Sequence, residues 1–161
     1  MSVTLDDKQQ RALSFFVRGL NVAVLGSAGS GKSVLLRAII KHAVDRWGAN
    51  AVAVVAPAGS AAVAVGGQTI HSLFGWDVRP LNQQRWLVHT QARPGLCSRL
   101  RSIRVLVVDE APTMPSSVFS RMAFVMRHVA PVHLQGLPLG GRQVVCMFLF
   151  YALQGCVQID S

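Results

Sequence analysis

Residues 26–33 read G-S-A-G-S-G-K-S and fit the phosphate-binding pattern G-x-x-x-x-G-K-[ST] at every fixed position. This stretch limits the fold more than any other, because such a loop works only as the turn between a buried strand and a helix. Gly26, Gly29 and Gly31 let the backbone bend back so that successive N–H groups point inward at an anion. Ser27, Ala28 and Ser30 complete the cradle. The Lys32 ammonium reaches the outer phosphates as a point charge, and the Ser33 hydroxyl suits a magnesium ion. The flanks agree. Val22-Ala23-Val24-Leu25 is a short apolar run, and residues 33–47 have helical spacing with Leu35, Leu36, Ile39, Ile40 and Ala43 on one face. The N-terminus of that helix adds partial positive charge to the site. A glycine-rich turn without chemistry is the alternative, and the strand–loop–helix context speaks against it.

The rest of the chain alternates strands and helices. Residues 5–18 read as an amphipathic helix capped by Asp6 or Asp7, with Leu13, Phe16 and Val17 facing the core. Residues 21–25 form the first strand and residues 51–56 the second, stopped by Pro57. A short helix over 59–65 ends at Gly66-Gly67, and residues 69–76 have no clear form. Residues 77–95 are mostly loop with a helix expected over 82–91, and a further short helix is expected over 96–102. Val105-Leu106-Val107-Val108 is the third strand, and residues 115–129 are helical with Pro115 in the first turn. In that helix Val118, Met122, Phe124, Val125 and Val129 are available for packing. The last strand runs over 143–150. This order predicts an α/β fold with a parallel sheet covered on both faces.

At 161 residues with 51% apolar side chains, the chain suits one domain with a packed core. No apolar run reaches the roughly 18 residues needed to span a bilayer. The first ten residues lack the apolar core of a signal peptide and carry too much acid for a transit peptide. Cys97, Cys146 and Cys156 have no metal-binding spacing and are odd in number, so neither a disulfide framework nor a zinc site is expected. The formal charge of +9 is concentrated. No acid occurs between Asp77 and Asp109, a stretch holding Arg79, Arg85, Arg93, Arg99, Arg101 and Arg104 with Trp86 and His89 interleaved and Trp76 just before it. Arginine with aromatics suits a nucleic-acid strand, because guanidinium pairs with phosphate and indole stacks on bases. A solvated basic face is the other reading, and charge leaves the two even.

The third strand ends in Asp109-Glu110, which places two carboxylates at the same sheet edge as the phosphate loop. One carboxylate is needed near magnesium, and Asp109 is the better candidate as the first acid after the strand. Glu110 is the better group to orient or deprotonate an attacking water. With Lys32 they make a catalytic set for nucleotide hydrolysis.

Four blocks around these residues resemble the PIF-type DNA helicases of superfamily one. Leu5-Asp6-Asp7-Lys8-Gln9 is similar to the family's L-S-x-E-Q, whose glutamine reads adenine, which puts that role on Gln9. Gly26–Ser33 with the following L-L-R-A-I-I resembles G-S-A-G-T-G-K-S with L-L-R-x-I-I. Residues 56–75, A-P-A-G-S-A-A-V-A-V-G-G-Q-T-I-H-S-L-F-G, are similar to A-S-T-G-I-A-A-x-x-x-G-G-x-T-I-H-S-F-x-G. Residues 107–114 match V-I-D-E-I-S-M. The resemblance implies a P-loop NTPase, RecA-like three-layer sandwich, here an incomplete first lobe over residues 1–146. It implies DNA contact at Gly59, Thr69, His71 and Ser72. It further implies ATP with Mg2+, single-stranded or forked DNA, and 5′ to 3′ unwinding in DNA repair, recombination, or telomere or organelle DNA maintenance. A monomer is the expected working state, in the nucleus or mitochondrion of a eukaryote or the cytoplasm otherwise, neither secreted nor in a membrane.

The departures are specific. Ala58 stands where the family has threonine. The block P-F-G-G-x-Q-L-V-L-x-G-D-F-x-Q-L-P-P-V is followed through Pro138-Leu139-Gly140-Gly141-Arg142-Gln143-Val144-Val145 and then lost. Its Gly-Asp falls at Phe148-Leu149 and its phosphate-sensing glutamine at Ala152. Residues 147–161 are therefore expected to be a divergent tail, and a frameshift, an alternative splice or a truncated gene copy would each produce one. Three functions stay open: a helicase seen through its first ATPase lobe, an ATP- and DNA-binding module that no longer unwinds, and an unrelated phosphate-loop kinase. The T-I-H-S block and the acid-free basic region argue against the last.

Overall fold

The computed structural model describes residues 4–27, 29–76 and 82–149. Five strands, β1 (Val22–Gly26), β2 (Val52–Ala56), β3 (Gln68–Thr69), β4 (Val105–Val108) and β5 (Gln143–Leu149), form one sheet in the order β1-β5-β4-β2-β3. Every pairing is parallel. Helix α1 (Asp7–Val17) precedes β1, and the crossovers that parallel strands need carry α2 (Lys32–Trp47), α3 (Gly59–Ala64), α4 (Ile70–Phe74), α5 (Gln83–Gln91), α6 (Pro94–Ser102) and α7 (Ser116–Val129).

β4 explains the three layers. All four of its residues are fully buried, so the strand is covered on both faces. Val105 and Val107 point to one face, where they join Val145 and Met147 of β5 against Phe16, Leu35, Leu36, Ile39 and Ala43. Leu106 and Val108 point to the other, against Phe74, Trp86, Leu100, Met122, Val125 and Met126. Helices α1 and α2 thus cover one face, and α4–α7 the other. Short apolar runs in the strands, their alternation with helices, and helical spacing in α2 and α7 made this arrangement legible.

Several expectations change. Val17 is 40% exposed rather than in the core, because α1 turns only Phe16 fully inward. Pro115 is the N-cap of α7 and stands outside its first turn. The segment of unclear form resolves into β3 and α4, joined at Thr69, whose hydroxyl accepts from the Ser72 N–H at 3.1 Å. β5 pairs with β1 as far as Gly26–Leu149, so residues 147–149 belong to the sheet. Its expected end at residue 150 lies outside the described residues.

The turn before β5 has a cause in packing. Leu139, Gly140 and Gly141 all have positive φ (51°, 66° and 75°). A Cβ on Gly140 would stand 2.6 Å from the Ala130 Cβ and 2.9 Å from the Met126 carbonyl oxygen, so only glycine fits. Arg142 then enters the core at 7% exposure. Its guanidinium donates to the carbonyls of Leu139 (2.8 Å), Met126 (2.9 Å) and Leu100 (2.8 Å), the last two near the C-termini of α7 and α6. Burial pushes its pKa down to about 10, which leaves it charged at neutral pH. The next residue, Gln143, donates to the Phe16 and Leu20 carbonyls at 2.8 and 2.7 Å and ties β5 to the end of α1.

Candidate nucleotide site and nucleic-acid face

The loop from Gly26 to Ser33 leaves the carboxyl end of β1 and becomes α2. Gly29 and Gly31 both adopt left-handed backbone, with φ of 77° and 81°. Gly31 is the N-cap of α2 and has no side chain to cap with, which leaves the first N–H groups of a 16-residue helix free for an anion. The Lys32 ammonium donates to the carbonyls of Gly26 (2.7 Å) and Ser27 (2.5 Å), and the Ser30 hydroxyl to that of Ser27 (2.8 Å). The lysine therefore folds over the cradle. Ser33 is exposed on the first turn of the helix. Ala28 lies outside the described residues.

Gln9 approaches from α1. Its amide closes a capping box with Asp6: the Gln9 N–H donates to the Asp6 carboxylate at 2.8 Å, and the Asp6 N–H to Gln9 Oε1 at 3.1 Å. Its Nε2 donates to the Gly31 carbonyl at 3.3 Å. Asp6 is thus the cap, and Gln9 sits against the loop. A Cβ on Gly31 would collide with this amide.

Asp109 and Glu110 follow β4. The Asp109 N–H donates to the Val55 carbonyl at 2.9 Å, extending the ladder by one residue. The Asp109 carboxylate accepts from the Glu110 N–H at 3.0 Å. Glu110 has φ 49°, a left-handed conformation uncommon outside glycine, and this aims its side chain away from the strand direction. The Thr113 N–H and hydroxyl close the turn on the Glu110 carbonyl at 2.9 and 2.8 Å.

Helices α2 and α7 leave β1 and β4 on opposite faces, so a crevice opens over the carboxyl end of β5 between them. It has a volume of about 390 Å³ and is lined by Gly31, Lys32, Ser33, Asp109, Glu110 and Met147, among others. The expected phosphate-loop and carboxylate groups are brought together in it. Hydroxyl and carboxylate oxygens are hard donors suited to a small divalent cation. Among the described residues no group of three or more His, Cys, Asp or Glu stands together. A cation held by Ser33 and Asp109 would thus take its remaining ligands from phosphate and water.

Gly59, Thr69, His71 and Ser72 gather at the same sheet edge but over β2 and β3, where Ala56 pairs with Thr69. Gly59 opens α3, and His71 and Ser72 are exposed on the first turn of α4. His71 stands edge-on to Trp76 at 6.2 Å. β1 and β2 are three strand spacings apart, about 14 Å, so this group lies beside the crevice and does not enter it. Ala58 is the N-cap of α3 and offers no capping side chain.

The aromatic half of the basic stretch is corrected. Trp76 and Trp86 are 7% and 1% exposed. Trp76 stacks on Phe74 at 4.5 Å and packs on Trp86 at 5.2 Å. Neither indole has a face free for a base. The arginines part from them: Arg85, Arg93, Arg99, Arg101 and Arg104 are exposed, and Arg79 lies outside the described residues. Arg142 and Gln143 were missed as structural residues. The G-G-x-Q spacing before an apolar strand was the available signal, and only the packing assigns it a purpose.

These features match a known family. The family model described as PIF1-like helicase matches residues 6–153. The chain is 31% identical over 156 residues to ATP-dependent DNA helicase PIF1 of Candida albicans, covering 97% of this chain and 17% of that protein. The crystal structure of Pif1 helicase from Candida albicans superposes with a TM-score of 0.82 at 30% identity, covering 91% of this chain and 32% of that one. The crystal structure of Pif1 helicase from Bacteroides in complex with ADP-AlF3 and ssDNA gives a TM-score of 0.74 at 25% identity over 98% of this chain and 35% of that one. The chain therefore spans under a fifth of the Candida albicans protein. A parallel α/β lobe with its phosphate loop and acidic pair on one crevice, matched along nearly its whole length, belongs to the PIF1-like helicase family.

Proposed function

We propose that this chain is the first ATPase lobe of an ATP-dependent DNA helicase that moves 5′ to 3′ on single-stranded or forked DNA. The observation that carries the reading is the single crevice shared by Lys32, Ser33, Asp109 and Glu110. In it the loop N–H groups and Lys32 neutralise the phosphates of ATP, once Lys32 gives up its bonds to Gly26 and Ser27. Ser33 and Asp109 hold Mg2+, which when bound screens the phosphate charge. Glu110 orients the attacking water, and Gln9 meets the adenine. Gly59, Thr69, His71 and Ser72 contact the DNA strand at the adjacent edge, in a monomer. The solved relative bound to ADP-AlF3 and ssDNA supports both ligands. Among the described residues no helix is long and apolar enough to cross a membrane, and DNA upkeep in the nucleus, mitochondrion or bacterial cytoplasm fits the reading.

A second reading is favoured by one position. At the carboxyl end of β5, beside Leu25 and Gly26, stand Phe148 and Leu149, where the resemblance expects Gly-Asp. A lobe without that Gly-Asp binds ATP and DNA but does not turn ATP over. Purified protein separates the two. DNA-stimulated phosphate release that vanishes in Lys32→Ala supports the helicase lobe. ATP binding lost in Lys32→Ala, with no turnover in the unsubstituted chain, supports the module. Absence of ATP binding refutes both.

A further inference from the structure

A second cavity lies at the opposite edge of the sheet. It has a volume of about 450 Å³, and its polar lining comes from Asn50, Gln68, Ser98, Arg99 and Ser102, with Gly95 from the first turn of α6. Asn50 precedes β2 and Ser102 precedes β4, so they share the amino edge, while Gln68, paired with Val55, reaches the cavity from the side of β3. A five-residue strand rises about 16 Å. The phosphate loop, at the carboxyl edge, therefore lies too far away to share one phosphate with this cavity, whereas Gln68 and Leu73 join its wall to the T-I-H-S face.

The cavity's chemistry selects an anion. Among the described residues no acid lines it, and the sequence from 78 to 108 that supplies α6 contains none. Arg99 is exposed, and among the described residues its guanidinium makes no hydrogen bond or ion pair. It offers the planar fork that fits a phosphate. The Ser98 hydroxyl and the Asn50 and Gln68 amides add neutral donors around it. Arg101 and Arg104 are exposed on the same segment, and Arg101 spends only its Nε, on the Val129 carbonyl at 2.9 Å. The burial of Trp76 and Trp86 removes base stacking from this region, which leaves backbone contact.

We propose that the amino-edge cavity around Arg99 is a second nucleic-acid contact, taking a phosphodiester of the DNA backbone without reading its bases. The choice of DNA rests on the function proposed above. The contact would hold DNA that has left, or not yet reached, the carboxyl-edge face.

The test is fluorescence anisotropy of the full 161-residue chain with labelled oligothymidylate and with a labelled duplex of equal length, across a salt series. Arg99→Glu is compared with Arg99→Lys and with Arg11→Glu, which makes the same charge change on α1 across the sheet. Arg99→Glu is expected to weaken binding about tenfold at low salt and to flatten the salt slope by about 0.7 on single strands or about 0.9 on duplex. Arg99→Lys should keep most of the binding, and Arg11→Glu should change it less than twofold. Loss on the duplex only, or on the single strand only, identifies which form docks there. If Arg99→Glu behaves like Arg11→Glu while His71→Ala weakens binding, the amino-edge contact is refuted and the DNA reading stands. If the unsubstituted chain binds neither probe, the DNA reading itself fails and takes the contact with it.

Discussion

Replacing Arg142 by alanine should be among the most damaging changes in this lobe, although the residue touches neither ligand face. Its guanidinium makes three bonds of 2.8–2.9 Å to the carbonyls of Leu100, Met126 and Leu139. Two of those carbonyls lie near helix C-termini, where a cation also meets the favourable end of the helix dipole. Hydrogen bonds from a charged donor contribute about 1.5–3 kcal/mol each, so three supply about 4–9 kcal/mol. Against them stands desolvation. Burial lowers the guanidinium pKa from its usual value to about 10, which corresponds to roughly 3 kcal/mol of penalty on the charged form. The folded pKa lies below the unfolded one, so this penalty is present through the whole neutral range and is relieved only as pH rises through about 10. The net contribution is about 1–6 kcal/mol, the upper part of which agrees with the cost of breaking other buried charged networks. Arg142→Ala should therefore lower the urea midpoint by a large share of a lobe stability of about 5–15 kcal/mol, with m unchanged. Arg142→Lys should recover little, since an ammonium lacks the fork that spans two helices. A loss under about 0.5 kcal/mol in Arg142→Ala would refute the capping role, as would full stability in Arg142→Met.

Three further outcomes follow from local geometry. Ala58→Thr supplies the missing N-cap of α3 and should stabilise the chain by about 0.5–2 kcal/mol in thermal or urea unfolding. Glu110→Gly relieves the left-handed backbone and should raise stability by up to about 1 kcal/mol, while any ATP turnover falls to background. Glu110→Gln, which keeps the strain, should lose turnover with stability unchanged. Trp76 and Trp86 should emit in the blue and resist acrylamide, and saturating oligothymidylate should leave that emission in place, because both indoles are core residues.

The phosphate loop, the acidic pair and the four long strands were legible because each is a local pattern. Glycine spacing, a four-residue apolar run and a helical stripe need only near neighbours to be read. β3 was missed because two residues carry no period, and it exists only because Val55 and Ala56 offer an edge to pair with. The boundary placed at Cys146 rested on lost resemblance, whereas strand pairing with β1 carries the sheet to Leu149.

The sequence by itself determined that this chain folds as an α/β lobe with a phosphate cradle and two carboxylates at strand ends. Those are properties of short segments and of the backbone conformations their residues permit. Tertiary structure decided the order β1-β5-β4-β2-β3, which brings Lys32 and Glu110, far apart in the chain, onto one crevice. It also parted the tryptophans from the arginines that alternate with them. On a helix the residues of one segment face opposite ways, and only the sheet beneath decides that Trp86 is buried while Arg85 meets water.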